Sequence, residues 1–186
     1  MTFLKKCTII FSMQYYIIQV ATSREQIFID NLHKLNPQLA KEHNFIYLTR
    51  ELSIKRKGIW IKEQQPVFPS YIIVQTVNTI EACTLQALKK IPDFYHFLNS
   101  NNDIVPLSNN DLNIIQHFLD LGPKIGTSLV SFDENNRIVV MEGPLKGIEG
   151  CIIKVDRRKH RAKIKVDFHR STYSMDLSFE DIKKQQ

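Results

Sequence analysis

Two clusters of basic residues have the residue types and spacing to bind an anionic partner. The first contains Lys55, Arg56 and Lys57, and the second contains Arg157, Arg158, Lys159, Arg161, Lys163 and Lys165. Guanidinium and ammonium groups pair with phosphate oxygens, so both clusters favour contact with a nucleic-acid backbone. The formal net charge of +6 points to the same class of partner. The alternative is that each cluster is simply a solvated turn.

The second cluster lies in the more basic end of the chain. From Ile138 to Gln186 there are 11 Lys and Arg against 7 Asp and Glu, which gives this segment +4 of the total +6. Lys163 and Lys165 alternate with Ile164 and Val166, a pattern that predicts a strand with one basic face and one buried face. That face favours binding to RNA, with a solubilising loop as the alternative.

The sequence contains none of the common catalytic or metal-binding motifs. It has no G-x-x-x-x-G-K-[ST], G-x-S-x-G or H-E-x-x-H, and its six histidines lack ligand spacing. Cys7, Cys83 and Cys151 form no C-x-x-C pair. We therefore predict no enzymatic activity, no metal site and no cofactor.

Cysteine usage and hydropathy indicate the compartment. Three widely spaced cysteines favour a reducing cytoplasm, and no run of 18 apolar residues could span a membrane. We expect a cytoplasmic protein, and residues 1–13 are expected to form a loose N-terminal extension.

The elements that would position the first basic cluster occupy residues 14–122. A capping-box pattern at Ser23 predicts a helix that ends near Asn36, and Arg56-Lys57-Gly58 predicts the turn of a hairpin over Ser53–Lys62. Ser108 predicts the start of another helix, which Gly122 ends. We also predict strands over Tyr15–Val20, Phe45–Leu48, Val67–Val77 and Phe94–Leu98, and a helix from Asn78 to Lys90. The order of elements predicts an α+β domain, in which helices flank a mainly antiparallel sheet.

After Gly122 the pattern changes. Residues 123–136 have no helical period and are predicted to be a linker, followed by a small all-β domain over residues 137–186. In that domain a strand begins at Ile138, Gly143-Pro144 turns the chain, and Gly147 and Gly150 suit positions with positive φ or little space.

The segment from Ile138 to Asp156 resembles a KOW motif. Its signature is a β-branched strand, then G-P-x-x-G-x-x-G, then a second strand, and Gly143, Pro144, Gly147 and Gly150 match the turn. Residues 168–182 resemble the F-G-R-x-T … L-x-F-x-x-V ending of NusG barrels, although His169 replaces the usual glycine. The resemblance implies an SH3-like β-barrel.

Four landmarks in the first domain resemble the NusG N-terminal domain, in the order found in that family. They are Tyr15-Tyr16-Ile17-Ile18 for W-Y-V-V, Phe68-Pro69-Ser70-Tyr71 for F-P-G-Y, Pro92 to Phe97 for P-G-V-x-x-F, and Val105-Pro106-Leu107-Ser108 for V-P-L-S. With the barrel, the resemblance spans nearly the whole chain.

The resemblance implies a monomeric transcription elongation factor that binds RNA polymerase and modulates pausing or termination. In that family the N-terminal domain docks on the clamp helices of the largest polymerase subunit, which places Tyr15, Tyr16, Phe68, Pro69 and Tyr71 at the docking surface. The alternative is that these side chains fill the domain's own core. The hairpin cluster, joined by Arg24, would contact non-template DNA.

The basic run behind the KOW motif resembles specialised paralogues of the LoaP kind, which act as operon-selective antiterminators. We therefore expect the barrel to contact nascent RNA, or otherwise a ribosomal or other protein partner. Two competing hypotheses are a KOW-containing, ribosome-associated RNA-binding protein and an RNA-processing enzyme. Residues 15–122 discriminate between them, because a ribosomal KOW protein would not need a domain with the four landmarks.

Overall fold

The computed structural model describes residues 13–98, 100–169 and 171–182. The predicted extension over residues 1–13 therefore lies, apart from Met13, outside the described residues. No helix of the described part is long and apolar enough to cross a membrane.

The N-terminal domain (residues 13–125) is built on an antiparallel sheet with the strand order β2-β5-β1-β6. Its strands are β1 (Gln14–Val20), β2 (Asn44–Ile46), β5 (Tyr71–Thr76) and β6 (Phe94–Phe97). Helices flank this sheet, as expected for the α+β class.

The period-2 alternation of β1 divides the core between the two faces of the sheet. Tyr16 and Ile18 pack with Phe28 and Leu32 under the helices α1 (Glu25–Leu35), α2 (Pro37–Glu42) and α3 (Ala82–Leu88). Tyr15 and Ile17 point to the other face, which packs against α4 (Asn109–Asp120) and the C-terminal domain.

The helix starts differ from the sequence prediction at α1 and agree with it at α4. Ser23 does not cap α1, because it has a φ of 63° and the helix begins at Glu25. Ser108 does cap α4, since its hydroxyl accepts a hydrogen bond from the Asp111 N–H. The helix α2 was not predicted, although Asn36 caps it and Pro37 stands at its first position, where a missing N–H costs nothing.

The predicted hairpin is present and is longer than expected. It joins β3 (Thr49–Arg56) to β4 (Ile59–Pro66) through Lys57-Gly58, and β7 (Lys124–Ile125) pairs with β3 on its other side. The strand predicted over Val67–Val77 begins only at Tyr71, because Ser70 turns the chain with a φ of 71°.

The C-terminal domain (residues 128–182) is a five-stranded sheet in the order β10-β11-β12-β8-β9. Its strands are β8 (Ser128–Phe132), β9 (Ile138–Glu142), β10 (Ile152–Asp156), β11 (Arg161–Phe168) and β12 (Ser171–Asp181). Ile164 and Val166 are buried while Lys163 and Lys165 are exposed, as the alternation predicts.

The structure differs from the linker expected over residues 123–136. Lys124–Ile125 belongs to the sheet of the hairpin, and Ser128–Phe132 is an inner strand of the C-terminal sheet. The burial of Ser128, Val130 and Phe132 on one face explains why this segment is a strand in spite of its polar start.

The glycines of the KOW turn have unequal roles. Gly143 has a φ of 91°, and a Cβ there would lie 2.7 Å from the Ser128 Cα. Gly147 has a φ of 87° but open space around it, whereas Gly150 has neither a positive φ nor a close neighbour. The expectation of a special backbone position therefore applies to Gly143 and Gly147, and it is wrong for Gly150.

A graded alanine series tests this difference. Gly150→Ala should leave stability within about 0.5 kcal/mol, and Gly147→Ala should cost about 1–2 kcal/mol because of its left-handed backbone. Gly143→Ala should cost more than Gly147→Ala, since the same backbone penalty is joined by a clash with β8. Urea unfolding of the three variants measures the order, and equal losses at all three positions would contradict it.

Candidate functional site

The two domains share one core, whose centre is an aromatic cluster around Phe68. The Phe68 ring centroid lies 5.2 Å from that of Phe168 and 5.6 Å from that of Tyr173, both in the C-terminal domain. Phe118 of α4 packs against Phe68 from the other side at 6.0 Å. Tyr71 also reaches Tyr173, with 6.4 Å between ring centroids. The C-terminal domain thus covers part of the predicted docking surface.

Three of the five predicted docking residues lie on the covered side, and a fourth is exposed next to Phe68 in the chain. Tyr15, Phe68 and Tyr71 pack in or against the shared core, and Pro69 is exposed. Tyr16 lies on the opposite face, 1% exposed, with its hydroxyl donating to Gln14 Oε1 at 2.8 Å. The alternation of β1 makes Tyr16 a core residue, which corrects its assignment to the docking surface.

A buried carboxylate holds the loop that presents Phe68 and Pro69. Glu25 is 2% exposed, and its Oε1 accepts the Ser70 N–H at 2.7 Å and the Ser23 N–H at 3.3 Å. The Ser70 carbonyl in turn accepts the Val20 N–H at 2.8 Å. The first turn of α1 therefore fixes the left-handed residue that replaces the glycine of the F-P-G-Y pattern.

Helix α4 makes two polar contacts with the C-terminal domain. The Asp111 Oδ1 accepts the His169 N–H at 2.8 Å, and the His117 Nε2–H donates to the Pro144 carbonyl at 2.9 Å. His169 has a φ of 45°, a left-handed backbone, at the position where the NusG ending usually has glycine. These contacts hold the Gly143-Pro144 turn and the turn between β11 and β12 against one helix.

Strand β3 makes the second polar junction between the domains. The Ser178 hydroxyl donates to the Glu51 carbonyl at 2.9 Å, and the Arg161 guanidinium donates to the Ser53 carbonyl. Arg161 also lies 3.8 Å from Asp176 and is only 19% exposed. Arg161, a member of the second basic cluster, thus connects the two domains.

Several polar groups at this junction are removed from water by burial. Burial lowers the pKa of the Arg50 guanidinium, and Asp176 opposes that shift. Among the described residues, the Nε atoms of Arg50 and Arg161 are buried without a hydrogen-bond partner. Burial also raises the pKa of the Tyr173 phenol, and Tyr71 raises it further. The buried guanidinium groups of Arg50 and Arg161 therefore carry an electrostatic cost in the closed junction, whereas the Tyr173 phenol stays neutral and carries none.

The first basic cluster lies at the tip of the hairpin, as predicted. Arg56 pairs with both carboxylate oxygens of Glu63 at 3.0 and 3.1 Å, whereas Lys55 lies 6.0 Å from the centroid of the Trp60 ring. Lys57 is exposed at the turn. Arg24 is not part of this cluster, because it forms an ion pair with Asp93 at 2.7 Å beside β6.

The rest of the second cluster covers the outer face of the C-terminal domain. Arg157 stacks on Phe132 at 3.9 Å and lies 3.5 Å from Asp181, which gives it a structural role. The Lys159 N–H donates to Asp156, and this bond lowers the pKa of the Asp156 carboxyl. Arg157 is itself exposed, and the other exposed members are Arg158, Lys159, Lys163 and Lys165.

Sequence reasoning missed several residues of this region. Trp60 is half-exposed on the hairpin, where it adds an aromatic surface to the basic cluster. Its position in the sequence could have indicated a functional role, because a lone tryptophan beside a basic turn does not belong to an alternating pattern of buried residues. Phe168 and Tyr173 carried no such signal, because only the packing of the domains brings them to Phe68. The described part of the chain contains no group of His, Cys, Asp or Glu that could hold a metal ion.

Comparison with known proteins shows which family the chain belongs to. A family model described as "Transcription termination factor nusG" matches residues 13–116, which is more than half of the chain. The chain belongs to the NusG family. It is therefore a transcription termination/antitermination factor.

Relatives of the NusG family match across both domains. The transcription termination/antitermination protein NusG of Rickettsia felis is 23% identical over 174 residues, covering 92% of this chain and 90% of that protein. The protein of the same name from Escherichia coli O6:H1 is 25% identical over 182 residues, covering 92% and 96%.

A solved structure described as "Domain interaction in Thermotoga maritima NusG" matches the fold. Its TM-score is 0.51 at 15% identity, and the match covers 90% of this chain and 94% of that one. At this identity the likeness concerns the fold alone, which agrees with an α+β N-terminal domain followed by a β-rich C-terminal part.

The aromatic contact predicts how the domains can be separated. Tyr173→Ala removes the ring that touches Phe68, Tyr71 and Phe168, and should weaken domain packing by about 2–4 kcal/mol. Amide exchange at His169, whose N–H is held by Asp111, should become faster. Tyr95→Ala, at an exposed tyrosine, is the control. Unchanged His169 exchange in Tyr173→Ala would contradict the prediction.

Proposed function

We propose that this protein is a transcription elongation factor that binds the clamp helices of RNA polymerase through its N-terminal domain and modulates pausing and termination. The observation that carries the proposal is the aromatic surface of Tyr15, Phe68 and Tyr71 on one side of the sheet, with the exposed Pro69 next to Phe68 in the chain. We further propose that it acts as an operon-specific antiterminator.

The composition of this surface supports a protein-docking role. Aromatic side chains bury a large area for a small loss of conformational freedom, so they dominate the energetics of interfaces. Glu25 fixes the Phe68–Ser70 loop by holding the Ser70 N–H, which preorganises the surface. Tyr16 is left out of the surface, because it packs under the helices.

Docking on the polymerase requires the C-terminal domain to move away. Phe68 is 4% exposed while Phe168 and Tyr173 cover it, so a partner helix cannot reach it in the closed arrangement. In the closed form the Nε atoms of Arg50 and Arg161 are buried without a hydrogen-bond partner among the described residues. Each such group costs about 1–3 kcal/mol, and this cost is relieved when the group regains water. The free energy needed to open the domains is therefore reduced.

The basic residues give the proposal its nucleic-acid contacts. Lys55 and Lys57 at the hairpin tip would contact phosphates of non-template DNA, and Arg56 and Arg24 would join them by leaving their ion pairs with Glu63 and Asp93. The exposed Arg158, Lys159, Lys163 and Lys165 would contact RNA, or a protein partner, once the factor is bound.

The pair Tyr71 and Tyr173 separates docking from opening. Each substitution to Ala removes the same contact between the domains, but only Tyr71 belongs to the proposed docking surface. Tyr173→Ala should bind RNA polymerase more tightly than the wild type, because the closed form is weakened. The affinity of Tyr71→Ala for RNA polymerase should be lower than that of Tyr173→Ala by a factor of about 10 or more, as expected for loss of an interface tyrosine.

The measurement is binding to RNA polymerase, followed by in vitro transcription over a terminator. Wild-type protein should increase read-through, and Tyr71→Ala should lose that effect while its circular dichroism stays native. Equal polymerase binding by Tyr71→Ala and Tyr173→Ala would remove Tyr71 from the docking surface. No effect of wild-type protein on read-through would refute the antitermination proposal.

Charge reversal at the hairpin tests the DNA contact. Lys55→Glu/Lys57→Glu should reduce crosslinking to the non-template strand in an elongation complex while polymerase binding remains. The slope of log affinity against log salt should fall by roughly 0.7 for each lost phosphate contact on a single strand. Lys89→Glu/Lys90→Glu, two exposed lysines after α3, changes the net charge equally and should have no effect.

A further inference from the structure

Two adjoining cavities lie at the junction between the hairpin and the C-terminal domain. The first has a volume of about 240 Å³ and is lined by residues of both domains, among them Trp60, Lys62, Lys159, His160 and Glu180. The second, of about 120 Å³, lies within the C-terminal domain and is lined by Lys154, Asp156, Lys159, Arg161, Lys163 and Asp176. Lys159 lines both cavities, so the two are neighbours.

The first cavity suits a single planar ring with polar edges. The Trp60 side chain, which is 50% exposed, supplies an aromatic surface, and Glu180 supplies a hydrogen-bond acceptor. Its volume is below the roughly 300–1,000 Å³ of pockets that enclose whole drug-like ligands. A nucleobase has the required shape, and bases stack on aromatic side chains regardless of their identity.

The second cavity suits phosphate. Arg161 is paired with Asp176, and Asp156 accepts the N–H of Lys159. Among the described residues, Lys154, Lys159 and Lys163 form no ion pair. The lining carries four cationic side chains against the two carboxylates of Asp156 and Asp176, so a net charge of +2 remains for an anion. Phosphate beside a base-sized cavity is the repeating chemistry of a single-stranded nucleic acid, whose bases are free to leave the strand.

In the described part of the chain, the hairpin face that lines the first cavity carries one unpaired lysine, Lys55, because Lys62 pairs with Glu51 at 2.8 Å. Ser53 pairs with Lys62 and Lys55 pairs with Trp60 in the hairpin register, and directly opposed residues share a face. The same face is fixed to the C-terminal domain, because the Arg161 guanidinium donates to the Ser53 carbonyl. Lys55 is therefore placed to meet the next phosphate along a strand whose base lies at Trp60.

We propose that the two cavities form one binding site for single-stranded nucleic acid, with an unpaired base against Trp60 and its neighbouring phosphates at Lys159, Lys154 and Lys163. This inference rests on the proposed affinity of the two basic clusters for nucleic acid and goes beyond it, because it joins them into one site that exists in the closed molecule, before the polymerase is bound. The site is complete only while the domains are closed, since Trp60 belongs to one domain and Lys159 to the other.

The location of the site has a regulatory consequence. A ligand that binds only the closed form stabilises that form by mass action. Because the closed form covers Phe68, nucleic acid bound here opposes docking on the polymerase, and the coupling is reciprocal. Free single-stranded RNA or DNA would thus hold the factor closed away from the polymerase.

The first experiment uses the intrinsic fluorescence of the full-length protein, because Trp60 is the single tryptophan of the chain. A ten-residue unstructured RNA, the DNA of the same sequence and a fully paired RNA duplex are titrated separately. Quenching by RNA, DNA or both single strands is expected and identifies the source of the ligand. Quenching by the duplex alone, or by none of the three, would overturn the proposal.

The second experiment measures anisotropy of the labelled single strand with variants. Trp60→Ala should weaken binding by about 5- to 150-fold, the range for loss of one stacked base. Lys159→Glu should weaken it and flatten its salt dependence. Tyr95→Ala and Lys89→Glu are the matched controls at exposed positions outside the site. Wild-type affinity in Trp60→Ala would overturn the base contact.

The third measurement tests the need for the closed form without using polymerase. Tyr173 lines neither cavity, so Tyr173→Ala should weaken binding of the single strand only by opening the domains. Unchanged affinity in this variant would overturn the composite site in favour of binding by one domain. Because these assays contain no polymerase, their failure leaves polymerase docking to be judged by its own assays.

Discussion

The burial of Phe68 between α4 and the C-terminal domain is the interaction on which the closed molecule depends. Its ring contacts Phe118 on one side and Phe168 and Tyr173 on the other, so it joins a helix, a sheet and a second domain. The aromatic residues that favour docking on a partner are the same residues that hold the molecule closed. Apolar surface of this kind must be covered, by a partner or by the chain itself.

The polar contacts around this cluster determine its geometry more than its stability. Asp111 holds the His169 N–H, and Ser178 holds the Glu51 carbonyl, so the C-terminal domain has one orientation on the first. The buried Nε atoms of Arg50 and Arg161, without partners among the described residues, offset part of what the aromatic contacts contribute. Apolar packing holds the two domains together, and the unpaired polar atoms lower the free energy needed to separate them. This combination suits an interface that must open.

The same closure brings two basic segments together that are about a hundred residues apart in the chain. The hairpin contributes Trp60 and Lys62, and the C-terminal domain contributes Lys159 and His160, to one cavity. Family membership comes from residues 13–116 and does not depend on this contact. The coupling between docking and nucleic-acid binding depends on it entirely, because both surfaces change when the domains part.

The sequence by itself determined the α+β class, the hairpin turn at Lys57-Gly58, the cap at Ser108 and the family, since each of these depends on local pattern or on the order of short motifs. It could not place Tyr16, because a run of apolar residues in β1 does not say which face is covered by helices and which by another domain. It also missed the strand over Ser128–Phe132, whose serines resemble a linker although Ser128, Val130 and Phe132 are buried by the neighbouring strands. Only the tertiary structure decided that Phe168 and Tyr173 cover Phe68, because contacts between domains leave no periodic signal in either one.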